Sequence, residues 1–440
     1  MSETPFGDEA DLLIHGGRIR TFDAQDAVVD ALAVRDGRIV ARGADAHRIP
    51  AVAVIDLDGR TAIPGVNDAH LHAAWLGARW PHLFFSETPP EQQPSGELVR
   101  TAEERRAALI TAWRLLAELG ITSYTEPGIG PGEDEGETGC FGTPMMQTYL
   151  DLHRQGAQTS RVTLLRLFGT LDGASDLDAF ERGIREPRPE TDPRWLAVTG
   201  VKIFADGIPP MATAWVEEPY PDGSTGALLT GGGEGARAAY RRMISLAVSL
   251  GEQVAVHATG DRAIEEFLRV LEQHGSTGAA PHYAVHGDLA TPDQIARMHA
   301  VGAGFAVQPL IADHTRAWAG ARLGPIRAAK AWPLAEMISS GALTTITSDA
   351  PIATPDWRAS VSSSLGLLGR DDTETRLALL RRITADPARQ DGAAAWKGSL
   401  ETGMVADITV LDEDPAEPGR DLTGIGVART IVDGRTVFSA

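Results

Sequence analysis

The sequence predicts an α/β fold: a TIM (β/α)8 barrel with a small composite β-sandwich domain formed from both chain ends. Three observations predict it. Between residues 63 and 395, eight short apolar runs alternate with amphipathic stretches, the pattern of a parallel sheet with crossover helices. The two ends instead carry short strands separated by glycine turns, and neither can close a core alone, so residues 1–62 and 396–440 pair as one domain. Ionisable residues that could share a site fall at the carboxyl ends of the predicted strands, the face on which such barrels carry their chemistry.

In chain order, strands are expected at 12–14, 17–21, 31–34, 38–41 and 53–56, with Asp36-Gly37 as a hairpin turn. The barrel then opens with the run 63–66. A helix follows from about Ala102, where Thr101 and Glu104 have the spacing of a capping box, to near Gly120. Strands two to eight are 121–124, 162–167, 197–204, 253–257, 283–286, 304–308 and 343–347, with helices near 144–155 and 235–250. The runs 406–411, 427–432 and 435–438, the last two joined by Asp433-Gly434, return to the small domain. No G-x-G-x-x-G follows the first strand and there is no P-loop, which sets aside an open doubly wound sheet. The loops after strands one, two and four, about 75–101, 126–143 and 206–233, are long enough to build an active face.

Composition narrows the partners. A net charge of −20 over 440 residues argues against nucleic acid and anionic membranes, and no apolar run reaches the ~20 residues of a membrane span. The single cysteine, Cys140, excludes an intrachain disulfide and a cysteine-based zinc cluster and fits a reducing compartment. The first ten residues lack a basic n-region and an apolar h-region, so a cytoplasmic location is expected. A small-molecule substrate is the expected partner; assembly into homo-oligomers stays open.

Pro64-Gly65-Val66-Asn67-Asp68-Ala69-His70-Leu71-His72 places two imidazoles two residues apart, facing one way if the strand continues through them. On the barrel frame Lys202 lies late in strand four, His257 ends strand five, His286 ends strand six and Asp349 follows strand eight. Four histidines and an aspartate could hold one or two divalent ions, with Zn2+ first by donor preference and other divalent metals as alternatives. Taken singly, each has a plainer explanation: a hydrogen-bonded core histidine, an ion-paired lysine, or Asp349 as a helix cap. Glu126, Asp206 and Asp261 read as structural, with Asp261 capping a helix that begins at Arg262. Trp75, Trp80, Trp215, His314 and Trp318 are candidates for substrate contact, as aromatic or imidazole groups in or near the active-face loops.

Residues 61–72 resemble the opening motif of the amidohydrolase superfamily. The stretches 201–207, 257–263, 348–351 and 398–407 resemble its YtcJ-like branch, the group that includes N-substituted formamide deformylase. The resemblance covers nearly the whole chain. It implies a metal-dependent hydrolase with metal ligation by His70, His72, His257, His286 and Asp349, and a carboxylated, bridging Lys202. Two departures stand out: Asn67 where the family usually has an aliphatic residue, and a chain shorter than many relatives. The expected reaction is cleavage of a C–N bond, in an amide, N-acyl or N-formyl compound, by metal-activated hydroxide, with Asp349 moving the proton. A deaminase, cyclic amidase or esterase would use much the same constellation, and a non-catalytic binding barrel is the alternative from another class.

Overall fold

The computed structural model describes residues 9–86, 88–230, 235–275 and 280–440; residues 1–8, on which most of the reading of the amino terminus rests, and the end of the loop 206–233 lie outside the described residues. The chain opens with β1 (Ala10–Arg20), β2 (Val28–Arg35), β3 (Arg38–Arg42), β4 (Ala51–Asp56) and β5 (Thr61–Pro64). Eight barrel strands follow: β6 (Val66–Asp68), β7 (Ile121–Ile129), β8 (Arg161–Leu167), β9 (Leu196–Phe204), β10 (Val254–Ala258), β11 (Tyr283–His286), β12 (Gly304–Val307) and β13 (Leu343–Ile346). The chain then returns with β14 (Ile408–Leu411), β15 (Val427–Val432) and β16 (Arg435–Ser439).

Strands β6 to β13 pair in sequence order, every pair parallel, with helices in the crossovers. Their apolar residues interlock with those helices in one large core. The capping box forms as expected: Glu104 N–H donates to Thr101 Oγ1 (3.1 Å) and Thr101 N–H to Glu104 Oε2 (2.9 Å), starting the helix Ala102–Glu118.

The outer domain is built from both ends, in the order β16-β15-β14-β5-β1-β2-β3, with β4 also on β1. β1 serves two neighbours on one edge: its first half pairs with β4 and its second with β5, across a register shift between His15 and Ile19. The path curls back on itself, because Ile39 N–H donates to Met404 O (2.9 Å) and Ala406 N–H to Gly37 O (2.8 Å). Inside lies a core with Ile14, Leu32, Val34, Ile408 and Ile431. Both hairpins turn on two residues at positive φ, Asp36-Gly37 and Asp433-Gly434.

The first apolar run divides between the two sheets. Thr61–Pro64 pairs with β1 and β14, so it belongs to the outer domain, and the barrel begins one residue past Gly65. Asn67, the departure from the family pattern, faces a buried polar group: its Nδ2 donates to Asp391 Oδ2 (2.8 Å), which also receives Lys397 Nζ (2.7 Å). An aliphatic residue there would leave that carboxylate one donor short.

Arg161 ties the two domains. Buried at the start of β8, it donates to Asp407 through Nε (2.7 Å) and Nη2 (3.0 Å) and to Asp433 through Nη2 (3.0 Å). Arg161→Ala removes one partner of a buried ionic group and is expected to cost about 3–5 kcal/mol of stability. A denaturant titration showing a loss below about 1 kcal/mol would contradict that role.

Candidate metal centre

β6 ends at Asp68, so His70 and His72 occupy the turn that follows rather than the strand itself. Their rings still converge, with centroids 5.4 Å apart, because the turn is pinned from below. The Asp68 carboxylate accepts from His70 N–H (3.2 Å) and from Ser348 N–H (3.2 Å), joining the first barrel strand to the last. Burial pushes this carboxyl up to about 7, against the pull of those donors. The same seam carries Asp349 N–H to His70 O and His72 N–H to Ala350 O, both 2.9 Å. Closing the barrel therefore delivers Asp349 to the histidines: its Oδ1 lies 3.3 Å from His70 Nε2 and 3.4 Å from His72 Nε2. Ligand atoms of these three buried residues all fall within 4.8 Å of one another.

Sheet register supplies the other half. Ala255 pairs with Lys202, His257 with Phe204 and Ala258 with His286, which sets three predicted residues near the carboxyl ends of adjacent strands. His257 Nε2 lies 3.2 Å from the Gly207 carbonyl, which only accepts, so Nε2 carries the proton and Nδ1 a lone pair. His286 Nδ1 is 2.7 Å from Gln308 Oε1, and the amide nitrogen of Gln308 is committed to Ala306 O (3.1 Å) and Thr347 Oγ1 (2.8 Å). His286 Nδ1 is therefore the donor and its Nε2 a lone pair. The two lone-pair nitrogens, His257 Nδ1 and His286 Nε2, face each other at 3.1 Å. Two neutral imidazoles so oriented repel, and a positive charge beside them relieves it. Burial lowers the pKa of both, so a proton is a poor candidate for that charge.

The first three residues balance differently. Burial and then Lys202 push His70 down to about 3. Burial also pulls on His72, but hydrogen bonding to Asp349 and Glu126 outweighs it and holds His72 up at about 9. Asp349 sits well below the usual carboxylate range: burial opposes ionisation, and His70, His72 and His286 prevail over it. Lys202, 1% exposed and with Nζ 4.7 Å from the Phe204 ring centroid, is pushed down to about 8 by burial. Neutral imidazoles at His70, His257 and His286, an ionised carboxylate, an amine easily deprotonated, and a His72 proton that rests on the Asp349 oxygen a cation would take instead are a donor set that fits a divalent cation. Asp349 (φ 55°) and His286 (φ 72°) both hold left-handed backbone, which costs a residue with a side chain about 1–3 kcal/mol and clusters at functional sites.

All six of these residues line one cavity of about 330 Å³. Of the five candidates for substrate contact, Trp75 joins its wall. Trp80 stands five residues farther along, past the end of the helix Ala73–Arg79, and is 40% exposed. Trp318, 52% exposed, follows Ile311 and Thr315, the residues of the helix Pro309–Ala328 that reach the cavity. Trp215 is covered by Arg262 at 4.5 Å, and His314 stacks on Phe85 at 4.8 Å, so Phe85 is the ring the cavity meets. Asp206 is structural, as expected, accepting from the backbone N–H groups of Trp215, Thr259 and Gly260. Asp261 is the first residue of its helix rather than the cap, which is Gly260. Asp172 and Asp288 add carboxyls to the wall that the sequence did not single out, and Glu126 reaches His72.

Among known proteins, the sequence profile of the amidohydrolase family matches residues 91–438. The chain belongs to the amidohydrolase family. This amidohydrolase is 29% identical to YtcJ of Bacillus subtilis (strain 168) over 252 residues, 54% of this chain and 46% of that protein, so the match spans less than half of that relative. It is 24% identical to N-substituted formamide deformylase of Arthrobacter pascens over 539 aligned positions, covering 96% of this chain and 97% of the other. The crystal structure of a metal-dependent hydrolase from Pyrococcus horikoshii OT3 superposes with a TM-score of 0.72 at 19% identity, covering 94% of this chain and 99% of that one. The resemblance to the YtcJ-like branch is thus borne out, as is the barrel with its outer sheet. Among the described residues no helix is long and apolar enough to cross a membrane.

Proposed function

We propose that this amidohydrolase cleaves a C–N bond, in an amide, N-acyl or N-formyl group, of a largely apolar small molecule. The observation that carries the proposal is the pair of imidazole lone pairs facing each other at 3.1 Å beside the His70–His72–Asp349 cluster. The likeness to N-substituted formamide deformylase supports the choice of bond. His70, His72 and Asp349, with His257 and His286, would hold one or two divalent ions, Zn2+ first by donor preference. Such an ion supplies Lewis-acid chemistry, acidifying water and polarising an acyl oxygen.

The chain's own groups do the rest. Asp349, ionised well below neutral pH, accepts a proton from the attacking water and returns it to the departing nitrogen, which leaves as an amine instead of an anion. Lys202, lowered to about 8, gives up one proton readily, and the neutral amine so formed adds to carbon dioxide: an N–C bond forms, a second proton is released, and a misplaced cation becomes an anionic donor. Trp75, Phe85, Phe204, Ile208, Ile311 and Ile352 give the cavity an apolar wall that desolvates the substituent.

Two measurements test the proposal together: metal content of the purified protein, and turnover on N-formyl and N-acyl amines of graded alkyl length. Each CH2 buried is worth ~0.8 kcal/mol, so kcat/KM is expected to rise about fourfold per CH2 until the cavity is full. Stoichiometric metal without turnover on any amide would favour a binding barrel, and a preference for small charged substrates would overturn the apolar assignment.

A further inference from the structure

Glu126 lies in the middle of β7, wholly buried. Its Oε1 is 3.3 Å from His72 Nδ1, on the opposite side of that ring from Asp349. Both atoms are buried and neither is otherwise engaged in a hydrogen bond, so this charged contact is the interaction open to them. The second oxygen is fixed from two directions: Oε2 accepts from Ala73 N–H (2.9 Å), the residue directly after His72, and from Tyr149 OH (2.8 Å).

Behind Tyr149 the chain of contacts continues. Tyr149 OH is 3.1 Å from Tyr124 OH, and Tyr124 OH accepts from Trp113 Nε1 (2.9 Å). Indole N–H can only donate and a carboxylate can only accept, so the direction of every proton in the row is set by its two ends. Trp113 donates to Tyr124, Tyr124 to Tyr149, and Tyr149 to Glu126. All four side chains are at most 2% exposed. Burial raises the pKa of both tyrosines and Glu126 raises them further, so they remain protonated donors. A row of four buried, aligned groups ending on one carboxylate oxygen leaves the other oxygen free for one purpose.

We infer that Glu126 is a positioning residue for the metal centre, holding His72 in the tautomer whose Nδ1 carries the proton and whose Nε2 lone pair points at the ligand cluster. The inference rests on the proposed metal-dependent function. A carboxylate behind an imidazole fixes its rotation and makes its other nitrogen a stronger donor, and loss of such a partner typically costs 10- to 100-fold in metal affinity. Tyr149 acts one step farther out by keeping Glu126 in place.

The experiment is Zn2+ affinity of the full chain by competition with a chromogenic chelator, for wild type, Glu126→Gln, Glu126→Ala and Tyr149→Phe, each checked for folding by circular dichroism. Glutamine keeps the shape of Glu126 and an acceptor for Ala73 N–H, so a purely packing role predicts wild-type affinity for Glu126→Gln. The positioning role predicts Kd raised about 10- to 100-fold in both Glu126 variants and by less in Tyr149→Phe. It also predicts a 15N imidazole spectrum of the Zn2+-loaded protein in which the protonated nitrogen of His72 is Nδ1 in wild type and changes in Glu126→Gln. Folded Glu126 variants that bind Zn2+ as wild type does, with an unchanged His72 signal, overturn the inference and leave the function standing. Wild-type protein that binds no Zn2+ or other divalent ion overturns the proposed function, and this inference with it.

Discussion

His70→Ala and His72→Ala are each expected to lose more than about 100-fold in metal affinity, and turnover with it, while remaining folded. The magnitude follows by comparison: an outer partner such as Glu126 is worth roughly 10- to 100-fold, and removing the donor itself costs more. Retention of the fold follows from where the turn's bonds lie. The seam between β6 and β13 is held by His70 O, Ala350 O, the N–H groups of His70, His72 and Asp349, and the Asp68 carboxylate, and none of these belongs to an imidazole. The alanine variants keep all of them. Circular dichroism and chelator competition on the same samples separate the two effects. Near-normal metal content and turnover in both variants would remove these histidines from the centre.

What could be read from the sequence divides along physical lines. The barrel strands were legible because each is a run buried on both faces, and such runs need no knowledge of their neighbours; Tyr283–His286 matches to the residue. The capping box at Thr101 was legible because its whole chemistry is local. Thr61–Pro64 was not assignable to a sheet, since its apolar residues suit either one and only pairing with β14 decides. The aromatic candidates could not be ranked from sequence, because Trp75 and Trp80 share one predicted loop and only the fold shows that Trp75 lines the cavity while Trp80 is exposed. Glu126 looked structural because nothing local marks a carboxylate inside a buried strand as facing a histidine 54 residues earlier. Asp68 does carry a local signal, an aspartate two residues before His70, the spacing at which a side chain accepts from the backbone. The ligand candidates could be gathered into one set because strand ends converge in a barrel whatever the sequence between them.

Asp349→Asn is expected to keep measurable metal and to lose turnover by about 10²- to 10⁴-fold. Asparagine has the shape of aspartate and presents a carbonyl oxygen, and the backbone at position 349 is held by His70 O, with Asp68 and Ser348 on either side of the seam. The left-handed φ of 55° is one that asparagine tolerates better than most residues. Geometry should therefore survive. What is lost is a group that takes up a proton in one step and releases it in the next, and an amide does neither. His70 and His72 also lose the negative charge that lies 3.3 and 3.4 Å from their Nε2 atoms, so metal affinity should fall in part. The separation of the two losses is the decisive feature: saturating the variant with metal should restore occupancy without restoring kcat. An unchanged kcat at full occupancy would assign the proton transfer elsewhere. Asp288 is then the next carboxyl to replace, since it lines the same cavity two residues past His286.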